Sequence, residues 1–426
     1  MSTQPSAKST ADDERRPGVR SQIVHLVSLL DRPLTSYYLV LGCSMLLLAL
    51  GLVMVLSSSS IVQINKYGSP YPLLQKQAIW VAVGLPLMWL ASIMPPKTFR
   101  AMAYPLLLLS ILALVLALVP GIGIAPPGSN GATRWISFGG PFQLQPSEPA
   151  KLALLLWGAD LLARKEKLRM LTEWKQLLIP LLPVTGLVVL LVMLGNDLGT
   201  TLVLLTIFLA LLWVVGAPGR LFVGMSGLIG VLVGILILVE PYRVRRLTGF
   251  LDPSGDPLNT NYQGRQGLYA VSSGGWFGAG LGEGKAKWLY LPEGHTDFIF
   301  ANIGEELGLI GTLVVLGLFG LLAYAGLRIA RRAVKDTFLR LAAAGATAWL
   351  VVQAIVNIGA VIGVLPITGI PLPLVSYGGS ALLPTLAALG MLLSFAKREP
   401  GARQALAARG AGPVTRALSW LGLAKR

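Results

Sequence analysis

Between Tyr37 and Ala396 the chain is a succession of apolar runs, most of them long enough to cross a bilayer, separated by shorter polar stretches. The pattern predicts ten spans, at about 37–57, 77–94, 101–120, 149–164, 177–194, 198–216, 220–239, 307–327, 341–364 and 377–396. The fourth and sixth are short or polar. The short alternating segments of an outer-membrane barrel are absent. The expected fold is an all-α polytopic membrane protein of about ten transmembrane helices, with a long extracytoplasmic loop between spans seven and eight. A tail over 1–36 precedes one membrane domain, 37–396, and a second tail, 397–426, follows it. The first apolar run comes after a long polar stretch and no small-residue cleavage site follows it, so removal as a signal peptide is not expected.

Composition agrees with the pattern. The chain is 54% hydrophobic and only 13% charged, against about 25% charged in soluble domains. Its net charge is +16. Most of the 35 Lys and Arg fall in the two tails and the even-to-odd connections, which predicts that both termini are cytoplasmic. Clusters such as ARKEKLR (163–169) and RIARRAVK (328–335) then face membrane lipids, so the charge does not call for nucleic acid. Cys43, alone, excludes an intrachain disulfide and a multi-cysteine metal site. Two histidines, His25 and His295, are too few for a histidine zinc cluster.

Two outer loops, 121–148 and 240–306, are longer than connection alone requires. The second ends in YLPEGHTDFIFANIGEELG (290–308), which places Glu293, His295, Asp297, Glu305 and Glu306 beside an apolar run. Starting the lipid-facing part of that run near Leu307 sets Glu305 and Glu306 at the outer rim, with Asp297 about two turns further out. Asp297 either caps the following helix or does chemistry; Phe300 at the third helical position removes a reciprocal capping box. Glu293 and His295 share its cleft only if the segment is extended. Glu305 and Glu306 diverge by about 100° on a helix, so at most one should face that cleft. Arg243, Arg245, Arg246, Arg265, Lys285 and Lys287 in the same loop suit an anionic headgroup better than a neutral sugar.

SSGGWFGAGLGEGK (272–285) is neither a Walker A loop, having Ala279 and Ala286 at the wrong places, nor a dinucleotide loop, having Glu283 for the third glycine. It retains turn-making glycines and backbone amides that could cradle a phosphate. In QPSEPAKLALL (144–154), Ser147 is a candidate helix cap, and Glu148 and Pro149 suit a first turn. Lys151 could snorkel outward, pair with Glu148, or meet ligand charge. Ser147 to Lys151 is one residue too long for a Ser-x-x-Lys acylation motif. Asp197 in GNDLGT reads as a rim turn or cap, and Asn357 as packing glue between helices. LPITGIPLPLVSYGGS (365–380) reads as a stiff, partly re-entrant segment lining a cavity.

Together, LPEGHTDFIFANIGEELG, QPSEPAKLALL, GNDLGT and LPITGIPLPLVSYGGS resemble the SEDS family (shape, elongation, division and sporulation), its cell-division branch more than its rod-elongation branch. The resemblance implies a peptidoglycan glycosyltransferase that joins lipid II into glycan strands on the outer face of the bacterial plasma membrane, concentrated at the division septum. It implies a class B penicillin-binding transpeptidase and other division-complex membrane proteins as partners. Asp297 matches the family's essential loop carboxylate, Glu293 and His295 its neighbours, and Glu305 and Glu306 its acidic pair. Arg134, Trp135, Ser147, Glu148 and Lys151 match further polar positions. Pro149, Gly267 and Gly284 depart from the usual residues. A lipid II transporter and a noncatalytic division scaffold are the competing readings.

Joining the sugars displaces an anionic diphosphate, which needs positive charge rather than an acid. One general base toward the acceptor hydroxyl then suffices, whereas a glycosidase needs two carboxyls. A single indispensable acid, Asp297, is therefore expected, with Arg243, Arg245, Arg246, Lys285, Lys287, Arg134 and Lys151 as candidate diphosphate partners. A divalent cation, Mg²⁺ or Mn²⁺, is the one cofactor this chemistry leaves open.

Overall fold

The computed structural model describes residues 32–125, 133–137, 143–170, 173–252, 261–402 and 404–405. Most of both tails and residues 253–260, which hold the PSGDP part of FLDPSGDP, therefore lie outside the described residues. Three long helices open the bundle: α1 (Thr35–Tyr67), α2 (Pro72–Ile93) and α3 (Pro96–Leu118). Proline stands at the start of α2 and of α3, where its missing N–H costs nothing. A small antiparallel sheet follows, β1 (Gly123–Ile124), β2 (Trp135–Ser137) and β3 (Gln143–Leu144), with Gly123 opposite Ile136 and Ile136 opposite Leu144.

The chain continues through α4 (Ser147–Lys167), a short α5 (Trp174–Leu178), α6 (Leu181–Leu194), α7 (Leu198–Val215) and α8 (Gly219–Val239). The long loop is partly helical, containing α9 (Pro241–Leu251) and α10 (Tyr262–Ser273). Then come α11 (Ile299–Arg332), α12 (Thr337–Val361) and α13 (Gly379–Ala396). Nine helical stretches among the described residues are long and apolar enough to cross a membrane, α5 and α6 counting as one.

The remaining predicted crossing is α4, whose 21 residues include Glu148, Lys151, Asp160 and Arg164. It is enclosed by α3, α7, α12 and α13, and most of its residues are buried. A helix walled off from lipid can be polar, which is why its apolar run looked short. Helix α8 is the opposite case: apolar apart from Arg220 and Ser226, with no buried residue and α7 and α9 as its main neighbours.

Several boundaries differ from the predicted ones. Helix α1 extends to Tyr67 rather than 57 because the SSSS run at 57–60 does not break it. Ser58 and Ser59 return their hydroxyls to the Met54 and Val55 carbonyls, at 2.7 Å each, satisfying themselves inside the helix. Helix α2 begins at Pro72 rather than 77, and α11 at Ile299 rather than 307.

Helix α11 is broken at Gly308, with φ 67° and ψ −164°. The glycine-rich loop fills the break. Leu309 and Ile310 donate their amides to the Gly275 and Trp276 carbonyls at 2.9 and 3.2 Å, while Ala279 and Gly280 donate to the Glu305 and Glu306 carbonyls at 2.9 and 3.1 Å. The loop thereby replaces the helical hydrogen bonds lost at the break. A Cβ on Gly308 would lie 2.3 Å from the Gly278 nitrogen. Gly308→Ala is expected to cost at least about 1–3 kcal/mol of stability, since this backbone conformation is essentially restricted to glycine. Thermal unfolding of purified protein in detergent checks it, with Gly317→Ala, at an ordinary helical position where nothing lies within 4 Å, expected to keep or raise the midpoint.

Candidate active site

Asp297 closes a tight turn ahead of α11. The turn opens at Glu293, whose φ is 55° and whose carbonyl accepts from the Thr296 and Phe298 amides at 3.2 and 3.1 Å. It is not extended, so the condition for Glu293, His295 and Asp297 to share one cleft as a strand is not met. Asp297 does not cap α11 either: Phe298 holds the cap position and no side chain bonds there.

Backbone of the turn is gripped from two sides. Asn357 of α12 donates one Nδ2 group to the Asp297 carbonyl at 2.8 Å and to the Ile370 carbonyl at 2.7 Å. It ties loop to loop rather than helix to helix. Ser376 donates to the Thr296 carbonyl at 2.6 Å and receives the Leu372 amide, while the Tyr377 amide bonds the His295 carbonyl at 3.0 Å. The 365–378 segment is thus the irregular floor of the site, with Ile370, Leu372, Leu374 and Val375 buried beneath it. Asn302 anchors the other side by donating to the Gly294 carbonyl.

The Asp297 carboxylate and the Arg246 guanidinium converge on one glycine. A Cβ on Gly369 would lie 3.5 Å from Asp297 Oδ2 and 3.8 Å from Arg246 Nη1. Burial pushes the Asp297 pKa up to about 6, and the Glu293 and Asp197 charges push the same way; Arg246 and Arg134 oppose it. His295 is pushed below its usual range by burial, against the Glu293 charge. Glu293 itself is exposed and accepts from the Thr296 hydroxyl at 2.6 Å.

The candidate cations separate clearly. Arg246, on α9, donates to the Ile367 carbonyl at 3.2 Å and stacks over Tyr242. Arg134 lines a small pocket with Ser147 and Asp197, and neighbouring Trp135 pairs with Ile124 in the sheet. Arg243 turns to the Leu236 carbonyl and Asn196, and Arg245 is exposed. Lys285 is exposed, and Lys287 donates to the Gly282 carbonyl.

Lys151 neither snorkels nor reaches this group. It is 1% exposed, 2.8 Å from Glu148, 3.3 Å from Gln353 and over the Trp349 ring. Gln353 passes the connection on, donating to the Pro371 carbonyl at 2.9 Å. Ser147 does not cap α4, where Pro146 holds that position; its hydroxyl faces Asp197 at 3.3 Å. Asp197 does cap α7, accepting from the Thr200 amide and hydroxyl, and also takes Gln145 at 2.7 Å.

Glu305 and Glu306 are both buried, and both face the same loop. Glu305 accepts the Lys285 and Ala286 amides at 2.8 and 3.1 Å; Glu306 accepts the Gly282 amide at 3.1 Å and the Ser57 hydroxyl at 2.6 Å. The amides that could have held a phosphate are occupied by the protein's own carboxylates. Ser57 and Gln353 are participants that the sequence reading missed, the serine run in an apolar span being the signal available for the first; Gly369 and Ser376 fall within LPITGIPLPLVSYGGS, read as cavity-lining, but were not singled out there. Among the described residues no group of three or more His, Cys, Asp or Glu side chains is gathered to hold a metal ion.

Fold and site define a polytopic helical membrane protein with one electrostatically perturbed carboxylate set between two arginines at the end of the bundle. The chain belongs to the family of cell cycle proteins named for FtsW, RodA and SpoVE, whose model matches residues 37–400. It is 43% identical over 407 residues to the probable peptidoglycan glycosyltransferase FtsW of Mycobacterium tuberculosis, covering 96% of this chain and 76% of that one. It is 38% identical to the stage V sporulation protein E of Bacillus subtilis, over 83% or so of the chain length aligned as 359 residues and 95% of that protein. A solved chain from a peptidoglycan synthase complex that coordinates polymerization and crosslinking superposes with a TM-score of 0.68 at 33% identity, covering 84% of this chain and 97% of that one. The rod shape determining protein RodA of Thermus thermophilus gives 0.61 at 32% identity, covering 85% and 97%.

The Lys151–Glu148 pair supplies a stability test. Lys151→Met leaves Glu148 buried without its cation and is expected to cost about 3–5 kcal/mol. Lys151→Met combined with Glu148→Leu removes the stranded charge and is expected to recover much of that loss, read as thermal midpoints of the two variants.

Proposed function

We propose that Asp297 is the general base of a peptidoglycan glycosyltransferase that polymerises lipid II. The enzyme class follows from the family and from relatives named peptidoglycan glycosyltransferase. The observation that carries the assignment to Asp297 is its placement: a partly buried carboxylate with a pKa of about 6, next to Arg246. A base must be ionised at working pH yet retain affinity for a proton, and this environment meets both demands.

In the reaction the acceptor 4-hydroxyl gives its proton to the Asp297 carboxylate as its oxygen attacks the donor's anomeric carbon. The bond from that carbon to the diphosphate breaks, and the diphosphate leaves as an anion. Arg246 and Arg134 supply the compensating charge, because these two guanidiniums are the cations acting on Asp297. A bound Mg²⁺ or Mn²⁺ would supply Lewis-acid stabilisation of the diphosphate. A class B penicillin-binding transpeptidase is the proposed partner, by analogy with the solved synthase complex. Septal concentration alongside other division-complex membrane proteins and cytoplasmic termini belong to the same proposal. A transporter would place its polar site near mid-bilayer between repeats; here Asp297 stands in a loop before α11.

Two outcomes test this reading. Asp297→Asn is expected to lower glycan-strand synthesis from lipid II by 10²–10⁴-fold, the usual range for a positioned proton acceptor, while the variant elutes and melts as a folded protein. Strand synthesis at wild-type rate would remove Asp297 from the base role. The rate should also fall as pH drops through about 6, because protonation there removes the base; Arg246→Gln should move that limb to higher pH by withdrawing a charge that holds the pKa down. Titration of Mg²⁺ or Mn²⁺ into chelator-treated enzyme reads the metal requirement directly.

A further inference from the structure

The glycine-rich loop between α10 and α11 hides its backbone and shows its large side chains. Its amides are spent on Glu305, Glu306 and the broken turn of α11. Outward it presents Trp276 (69% exposed), Phe277 (81%), Leu281, Trp288, Leu289 and Tyr290. The charges among them are Glu283, Lys285 and Lys287. Such a concentration of exposed aromatic and aliphatic surface is not what water selects.

We propose that residues 274–290 form a membrane seat, whose aromatic face enters the boundary between headgroups and acyl chains on the active-site side of the bilayer. Three observations favour lipid over a protein partner. The patch is continuous with the exposed apolar face of α11, since the Gly275 and Trp276 carbonyls bond Leu309 and Ile310, and Leu309, Ile310 and Leu313 are themselves exposed. Its composition is that of an interface, with Trp and Tyr at headgroup level and Lys side chains able to reach phosphate. Many of its backbone amides are already paired, a condition for irregular chain to approach hydrocarbon.

The consequence reaches the active site. The seat runs directly into the turn that carries Asp297, and it grips the first turns of α11 through the two glutamates. Lipid contact would therefore set the height of the acid relative to the bilayer, matching it to substrates whose sugars project from the membrane. Unlike the base assignment, this inference is read as depth and not as activity, so the two can fail separately.

The test uses the full chain with Cys43→Ser, reconstituted in phosphatidylethanolamine–phosphatidylglycerol vesicles and nitroxide-labelled at Phe277→Cys or Trp288→Cys. Leu313→Cys on the lipid-facing helix and Val334→Cys, 75% exposed at the far end of α11, serve as references. Labels at 277 and 288 are expected to collide with oxygen in preference to a water-soluble nickel chelate, as at 313. Quenching of native tryptophan by bromolipid, reduced in Trp288→Phe, is the expected result without any label. Collision behaviour like that at 334, with bromolipid quenching unaffected by Trp288→Phe, would overturn the proposal. So would water exposure that disappears only when a transpeptidase partner is added, which would assign the face to protein.

Discussion

Carboxylates cannot be buried beside lipid without donors, and the architecture around the site is organised by that demand. Glu305 and Glu306 lie where α11 leaves the loop, and the donors they require come from the glycine-rich segment and from Ser57 of α1. Charge-assisted bonds of this kind are roughly twice as strong as neutral ones. They pin the loop against the break at Gly308, and the break in turn lets the first two turns of α11 depart from the remainder of the helix. Everything that positions Asp297 is attached to those two turns or to the floor beneath them.

The acids of the site differ in how fully they are paired, and the difference separates structure from chemistry. Asp197 has an amide, a hydroxyl and a side-chain amide. Glu148 has Lys151. Glu305 and Glu306 have backbone amides. Asp297 is held by its backbone carbonyl, while among the described residues its carboxylate is bonded by no donor and is influenced through space by Arg246 and Arg134. A carboxylate stabilised by fixed donors is a poor proton acceptor; one that is desolvated and left open is a better one. That contrast, rather than the number of acids in the loop, singles out Asp297.

The spans were legible because length and hydrophobicity are local properties, and so was the cap at Asp197, whose donor Thr200 is three residues away. The glycine-rich stretch was legible as turn-making chain with free amides. The anion it binds was not, because the carboxylates arrive from another segment and Ser57 from the first helix. Lys151 had three open roles in the sequence; only the packing of α12 against α4, which brings Trp349 and Gln353 to it, selects pairing with Glu148. Gly369 was legible only as part of a cavity-lining segment, not as a residue with a role of its own. Its meaning is geometric: it is the place where acid and arginine meet with no side chain between them.

The two halves of the proposed catalytic pair, Asp297 and Arg246, are held with unequal firmness. Asp297 rests on a turn bonded to Asn357, Ser376, Tyr377 and Asn302, all from elements of the buried core. Arg246 stands on α9, which like α8 before it contains no buried residue, and it reaches the site through the Ile367 carbonyl. Few buried contacts mean low local stability. The carboxylate is therefore fixed by the bundle, while the guanidinium is carried on a helix with no buried residue, which leaves it freer to adjust to the diphosphate of the proposed reaction. For the proposed reaction between two lipid-linked sugars that division is physically apt: proton transfer demands a set geometry, whereas charge compensation tolerates movement because it falls off only gradually with distance.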